Sequence, residues 1–306
     1  LKKWGGVPAR WFLLSVELPP SGREYLVVEA LRNLGARGVE RVGARVVAHF
    51  PPPPDPEGFA ARAGARLAAV SRSHPGEVRW RWRSREEWIR EWLEEMETRR
   101  IGGRIEVTAA APEGSGGGGS PEATGELPRG EEWVTIRLRP GVGFGTGGHP
   151  TTRLVLERLL HRVQRDDRIV DVGAGSGIVS VAAALLRAER VWGLERDPLA
   201  VATAQGNVAE NGVEGRVRIE RTEVGPDGPR GLEGVTGVVA NLQGDALGEL
   251  LPGLSRLSGE GGWLLLSGVN RGERNGIVEA AEEAGLVLEE EGTEEGWWVG
   301  SFRRRG

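Results

Sequence analysis

The chain has 306 residues, with 40 basic against 44 acidic side chains, a formal net charge of -4 and no cysteine. That length points to two domains, while the lack of thiols excludes disulfides, thiolate metal sites and cysteine nucleophiles. The mild acidity excludes a nucleic-acid glove spanning the whole chain; with no apolar run of bilayer length and no leader-like start, a cytoplasmic protein without a membrane partner is expected.

Trp11 opens an apolar run, WFLLSVEL, that reads as a strand. The helical period of SGREYLVVEALRNLGA follows, then two short strands, GVERVG and ARVVAHF. A proline-rich turn, an alanine-rich helix over 59–70 and the strand EVRWRWR complete the set. This βαββαβ order is the ferredoxin-like arrangement. A small α+β domain over residues 1–83 is therefore expected, without a catalytic constellation of its own.

Residues 84–140 read as a linker. In SREEWIREWLEEMETRR, Trp88, Trp92 and Met96 recur every fourth residue and mark one face of an amphipathic helix. That face either packs against a neighbouring surface, the reading preferred here, or lines a substrate groove. RIEVTAA and EWVTIRLR look like two strands, joined by a glycine-rich segment whose composition predicts a disordered loop. The segment is a solvated insertion on one reading and an active-site flap on the other.

Beyond Pro140 the chain alternates strand and helix. RIVDVG, RVWGLE, RVRIE, GVVANL, GWLLLSGV, LVLEEEG and WWVGSFR are the predicted strands, with helices after Pro150, Ser176, Pro198, Gly244 and Arg271. Such alternation predicts a Rossmann-like, doubly wound α/β domain over 141–306 whose seven strands are mostly parallel, the last two forming an antiparallel hairpin at one edge.

In such a sheet, ligands bind beyond the carboxyl ends of the strands, near the point where strand order reverses. IVDVGAGSGIVSV ends a strand at Asp171–Val172 and turns through Gly173, Gly175, Ser176 and Gly177 into a helix. Glycines there let backbone pass close to a ligand, or serve only tight packing. The spacing G-x-G-x-G, with Ile178 in place of a last glycine, argues against a dinucleotide. The next strand ends at Glu195, where a carboxylate can accept from both ribose hydroxyls; the competing role, capping the following helix, suits Asp197 better. Asn241 closes an apolar strand, either as a functional amide or as a plain turn residue.

The run GVGFGTGGHPTT concentrates Gly141, Gly143, Gly145, Gly147 and Gly148 ahead of His149 and a helix start. A backbone freed of side chains can close as a lid, with Phe144 as a shield and Thr151 or Thr152 free to cap the helix or bond a ligand. For His149 a structural role in fixing the loop is preferred over that of a general base.

FGTGGHPTTRLVLERL, DVGAGSGIVSVAAA, DPLAVATAQGNVAENGV and VVANL together resemble the class I S-adenosylmethionine-dependent methyltransferases, and among them the PrmA family, which methylates large-subunit ribosomal protein eleven. The resemblance covers 141–306 closely and the domain order before it loosely. It implies S-adenosyl-L-methionine as cofactor, held by Phe144, Gly145, Thr146, Thr152, Asp171, Gly173, Gly175, Ser176, Glu195 and Asn241. It also implies a monomer that methylates lysine and/or N-terminal amino groups of a ribosomal protein. The partner would be engaged through the N-terminal domain, with no direct need for nucleic acid.

In-line methyl transfer needs positioning more than a metal. Asn241 and the Leu242 carbonyl are expected to hold the acceptor's N–H bonds. Several positions depart from the family pattern: Glu195 for the usual aspartate, Ala174, Gly148, Gln243, and a linker helix without its usual lysine after tryptophan. Methylation of another protein lysine or a small amine, and cofactor binding without turnover, are the rival readings.

Overall fold

The computed structural model describes residues 8–17, 24–71, 78–110 and 133–305. They fall into two compact units, one ending at Glu95 and one beginning at Met96.

The first unit runs β1 (Arg10–Glu17), α1 (Glu24–Asn33), β2 (Gly38–Val42), β3 (Arg45–Phe50), α2 (Pro56–Ser71), β4 (Arg79–Ser84) and α3 (Arg85–Glu95). Its four strands pair antiparallel in the order β2-β3-β1-β4. Alternation along the strands sends Phe12, Leu14 and Val16 of β1 and Val46, Ala48 and Phe50 of β3 to one face, where Val27 and Leu31 of α1 and Ala63 and Leu67 of α2 close over them. Fully burying each large side chain there contributes about 1.5–3 kcal/mol. Ser84 and Glu87 start α3 with reciprocal bonds: Ser84 N donates to Glu87 Oε2 at 2.8 Å and Glu87 N to Ser84 Oγ at 3.2 Å. Trp88 lies 5.6 Å, ring to ring, from Trp11 of the same unit. Ile89 is the residue of α3 that is buried, and Met96 falls just past the helix end.

The second unit begins with a small sheet of β5 (Arg99–Ile101), β6 (Ile105–Ala109) and β7 (Val134–Leu138), in that order. The sequence had suggested β6 and β7 but not β5, which at three residues is too short to carry a period. β6 and β7 run parallel, a pairing that no tight hairpin can close. The disordered glycine-rich loop expected between them lies outside the described residues.

The main sheet has seven strands in the order β10-β9-β8-β11-β12-β14-β13. These are β8 (Arg168–Val172), β9 (Arg190–Glu195), β10 (Val217–Arg221), β11 (Gly237–Asn241), β12 (Trp263–Asn270), β13 (Leu286–Glu294) and β14 (Trp297–Arg304). The first five in spatial order are parallel, and β14 pairs antiparallel with both β12 and β13. This is the expected doubly wound sheet with its hairpin at one edge.

Helices α4 (Pro150–Arg162), α5 (Ile178–Leu185), α6 (Pro198–Glu210), α7 (Gly244–Leu257) and α8 (Arg274–Glu283) cover it. Val170, Val172, Val238, Ala240, Leu264 and Leu266 share one core with Leu247, Leu251 and Leu254 of α7 and Ile277 of α8. Strand order reverses between β8 and β11, whose last paired residues are Val172 and Ala240. The turn after β8 and the end of β11 are thus neighbours at the carboxyl rim.

Candidate functional site

The turn between β8 and α5 takes its shape from Gly173, Gly175 and Gly177, at φ of 76°, 55° and 78°, a region that favours glycine. Every backbone N–H from Gly173 to Ile178 has a partner inside the protein. Gly173 N and Ala174 N donate to Leu194 O at 2.9 and 3.0 Å, Ser176 N to Phe144 O at 2.9 Å and Gly177 N to Ala174 O at 2.7 Å. Gly175 N donates to Glu195 Oε2 at 3.0 Å, and Ile178 N to Ser176 Oγ at 3.3 Å. A pyrophosphate would need such amides turned outward to receive it. Here they are committed, so the rim offers a carboxylate and carbonyls instead, which suits hydroxyls and amines.

Glu195 spans this turn and the next loop, its Oε1 accepting from Asp197 N at 2.9 Å. Asp197 itself caps α6 through Leu199 N at 3.0 Å, so Glu195 is not the side chain that caps the helix. Its oxygens keep lone pairs for further donors. Asp171 faces α5 rather than the rim: its Oδ2 accepts from Ser180 N at 3.1 Å and Ser180 Oγ at 2.6 Å. Burial pushes its carboxyl up to about 7, against the pull of the Ser180 bonds and with some help from the charge on Glu195.

The loop 141–149 lies directly on the glycine turn. A Cβ at Gly143 would stand 2.4 Å from Gly175 C and Ser176 N, and one at Gly175 would stand 2.5 Å from Phe144 O. Each loop therefore excludes side chains from the other. Ser176 Oγ also donates to Gly145 O. Phe144 is 57% exposed, with its ring 5.2 Å from that of His149, which in turn lies 4.7 Å from Trp297. Trp297 pairs with Asn270 at the carboxyl end of β12, on the same rim.

His149 is the N-cap of α4, with Pro150 at the first helical position; its Nδ1 accepts from Thr151 N at 3.3 Å and bonds Thr151 Oγ1 at 2.9 Å. Thr152 is fully buried, and its Oγ1 has no hydrogen-bond partner among the described residues. Thr146 is half-buried between the two ends of the loop.

Asn241 ends β11, and its Oδ1 is likewise buried without a partner among the described residues. Such an atom costs about 1–3 kcal/mol unless something bonds it. Leu242 N donates to Ser267 O at 3.0 Å. The Leu242 carbonyl rests on Gly268, where β12 bulges and φ is 88°; a Cβ there would lie 2.1 Å from Leu242 O. The Leu242 side chain covers Gly173, where an added Cβ would lie 2.5 Å from Cδ2.

Direct bonds therefore join Phe144, Gly145, Gly175, Ser176 and Glu195, Leu242 links the turn to the end of β11, and Thr152 adds an unsatisfied hydroxyl. Sequence reasoning passed over Ser180, Trp297, Thr203, Asn207 and Asn211. Only the i, i+4 spacing of the two asparagines on α6 signalled anything beforehand. Two concavities lie elsewhere: one of about 730 Å³ beside Arg187, Glu189 and Arg216, and one of about 420 Å³ beside Asp167 and Trp263. Both sit toward the amino ends of the strands, away from the rim where α/β sheets place ligands.

Residues 39–305 match the family model described as ribosomal protein L11 methyltransferase (PrmA). A ribosomal protein L11 methyltransferase from Pelotomaculum thermopropionicum is 32% identical over 94% of this chain and 97% of its own length. One from Symbiobacterium thermophilum is 34% identical over 72% of this chain and 66% of its own length. Among solved structures, a ribosomal protein L11 methylase from Lactobacillus delbrueckii subsp. bulgaricus superposes with a TM-score of 0.55 at 22% identity, over 69% of this chain and all of that one, a likeness of fold.

Proposed function

The chain belongs to the ribosomal protein L11 methyltransferase (PrmA) family, and from that premise we propose that it transfers methyl groups from S-adenosylmethionine to amino groups of ribosomal protein L11, on lysine side chains and/or the N-terminus. The observation that carries the reading is the pairing of a glycine turn without free amides with an unpartnered buried oxygen on Asn241. The first suits a nucleoside that has no phosphate; the second suits a nitrogen donor at the neighbouring strand end.

On this reading Glu195 takes the ribose hydroxyls, and Gly173 and Gly175 let Leu242 and the Phe144 carbonyl close on the turn beside the nucleoside. Thr152 donates its free hydroxyl. Phe144, Gly145 and Thr146 form the covering loop, held down by Ser176. Asp171 works at one remove, fixing the first turn of α5 through Ser180.

The bound cofactor supplies an electrophilic methyl on a sulfonium, whose departure leaves a neutral thioether. The protein's task is to hold an uncharged amine in line. For a lysine of pKa ~10.4, losing the proton at pH 7 costs roughly 4.6 kcal/mol, against about 1 kcal/mol for an α-amino group near ~7.8. Asn241 Oδ1 and the Leu242 carbonyl accept the two remaining N–H bonds. Being neutral, they orient the amine without favouring its ammonium form as a carboxylate would. The edge-to-face cluster of Phe144, His149 and Trp297 walls the same rim with rings, which raises the cost of a charged acceptor further.

The N-terminal unit serves as a ferredoxin-like substrate-recognition domain, a reading supported by its βαββαβ order and β2-β3-β1-β4 sheet. Functionally the chain divides into a recognition domain over 1–83, a linker over 84–140 that contributes α3 to the first unit and β5, β6 and β7 to the second, and a catalytic domain over 141–306, acting as a monomer in the cytoplasm without nucleic acid. The test is incubation with S-adenosylmethionine and purified ribosomal protein L11, followed by peptide mass mapping. Methyl increments on amino groups are expected; an unmodified L11, or increments on a small amine alone, refutes the proposal.

A further inference from the structure

One face of α6, extended by its C-cap residue Asn211, carries a ladder of side chains that no role above uses. Thr203, Asn207 and Asn211 stand four apart, and each accepts a hydrogen bond from the backbone of residues 137–142. Arg137 N donates to Asn211 Oδ1 at 2.8 Å, Arg139 N to Asn207 Oδ1 at 2.8 Å and Val142 N to Thr203 Oγ1 at 3.2 Å. The first two rungs match in pitch: four residues of helix rise about 6 Å and two residues of strand about 6.7 Å, so Asn211 and Asn207 meet Arg137 N in β7 and Arg139 N just past its end, while Thr203 meets Val142 N three residues further on. The helix face does the work of a missing neighbour strand.

The middle rung differs from the others. Asn207 is completely buried, and while its Oδ1 holds Arg139 N, its Nδ2 donates to Ser176 O at 2.8 Å. One amide thus ties the glycine turn to the strand that leads into the loop lying over it. Asparagine alone offers a donor and an acceptor at this reach. Aspartate lacks the donor, and glutamine carries both groups one methylene too far. The next rung up presses Thr203 against Gly141, where a Cβ would meet Thr203 Cγ2 at 2.0 Å, and so registers the start of the loop as well.

We infer that Asn207 is a positioning residue for the cofactor: it sets the spacing between the glycine turn and the 141–148 loop, and thereby governs affinity for the nucleoside they enclose. The inference rests on the functional reading above.

Asn211 provides the control, because it makes an equivalent pair of bonds, to Arg137 N and O, without reaching the turn. Calorimetric titration with S-adenosylmethionine is expected to give Asn207→Ala a Kd raised about tenfold or more, the loss of one or two buried hydrogen bonds. Asn211→Ala, whose bonds to Arg137 are exposed, is expected to lose less thermal stability, at an unchanged Kd. In turnover, Asn207→Ala raises KM with kcat within about twofold of the original.

Should Asn207→Ala fail to fold, Thr203→Val keeps the shape of the rung above and loses its acceptor for Val142 N together with its local bond to Leu199 O within α6; its Kd is expected to rise about threefold, and an unchanged value overturns the inference. A Kd unaltered in Asn207→Ala, or raised equally in Asn211→Ala, likewise overturns it. An unmodified chain that binds no S-adenosylmethionine refutes the functional reading itself, a result distinct from either.

Discussion

Between Gly173 and Ile178 every backbone N–H is bonded within the protein, whereas one strand over, at Asn241, a buried side-chain oxygen has no partner among the described residues. The two stretches share a rim and divide its labour. The satisfied turn is a fixed wall whose geometry glycines, Glu195 and Asn207 enforce, and it presents shape. The unsatisfied strand end presents unmet chemistry, and a native fold keeps such an atom at a cost of about 1–3 kcal/mol. Binding should therefore depend chiefly on the first and turnover on the second.

The sharpest way to break that division is Asn241→Ala. If the amide oxygen orients the acceptor amine, single-turnover transfer falls about 100- to 1000-fold, roughly 3–4 kcal/mol, while cofactor Kd stays within about twofold of the original. A Kd that rises in step with the rate loss would move Asn241 to the binding side.

Next comes the buried acid beneath the turn. Asp171 is held protonated up to about pH 7 in the fold but ionises near 3.8 once unfolded, so between those values the native state binds more protons than the unfolded state. Its contribution is fully present below about pH 4 and is lost as pH rises through about 7. Asp171→Asn removes that dependence. Urea midpoints at pH 5 and pH 8 should show the variant gaining on the original by roughly 2–4 kcal/mol; parallel curves would show that Asp171 is ionised throughout.

Gly175→Ala tests the wall directly. The new Cβ has a positive φ of 55° and backbone 2.5 Å away at Phe144 O, so a stability loss of about 1–3 kcal/mol is expected, with weakened cofactor binding and an unchanged rate at saturation. Thr152→Val is the mildest change. It replaces an unpartnered hydroxyl with a methyl of similar shape, so the fold keeps or gains stability while Kd rises about threefold. A drop in melting temperature would mean the hydroxyl already has a structural partner.

Much of this was legible in the sequence because the relevant signals are local. The apolar runs of β8, β11 and β12 are buried on both faces, and long unbroken apolar stretches between helices announce a parallel sheet. Asn241 and Thr152 stood out as polar residues at a strand end and a helix start, and both carry orphaned oxygens. His149 read as a loop-fixing residue, and it caps α4.

What stayed hidden depends on contacts distant in sequence. Trp297 reaches His149 across nearly half the chain, and no local pattern marks it. Asn207 looks like an ordinary polar helix residue until β7 is seen lying along α6. β5 is too short to have a period, and the parallel pairing of β6 and β7 follows from topology that neither strand encodes alone. Asp171 shows a subtler case: the family resemblance implied a ligand contact, and its side chain bonds Ser180, an orientation that the alternation of the strand sets and the motif does not display.

On the proposed function, the rim accepts a sulfonium nucleoside and has no seat for a pyrophosphate. Titrating the purified chain with S-adenosylmethionine and, separately, with NAD tests it most directly. Saturable one-to-one binding of the first and no measurable heat from the second is the predicted result. Binding of NAD, or indifference to S-adenosylmethionine, would contradict it.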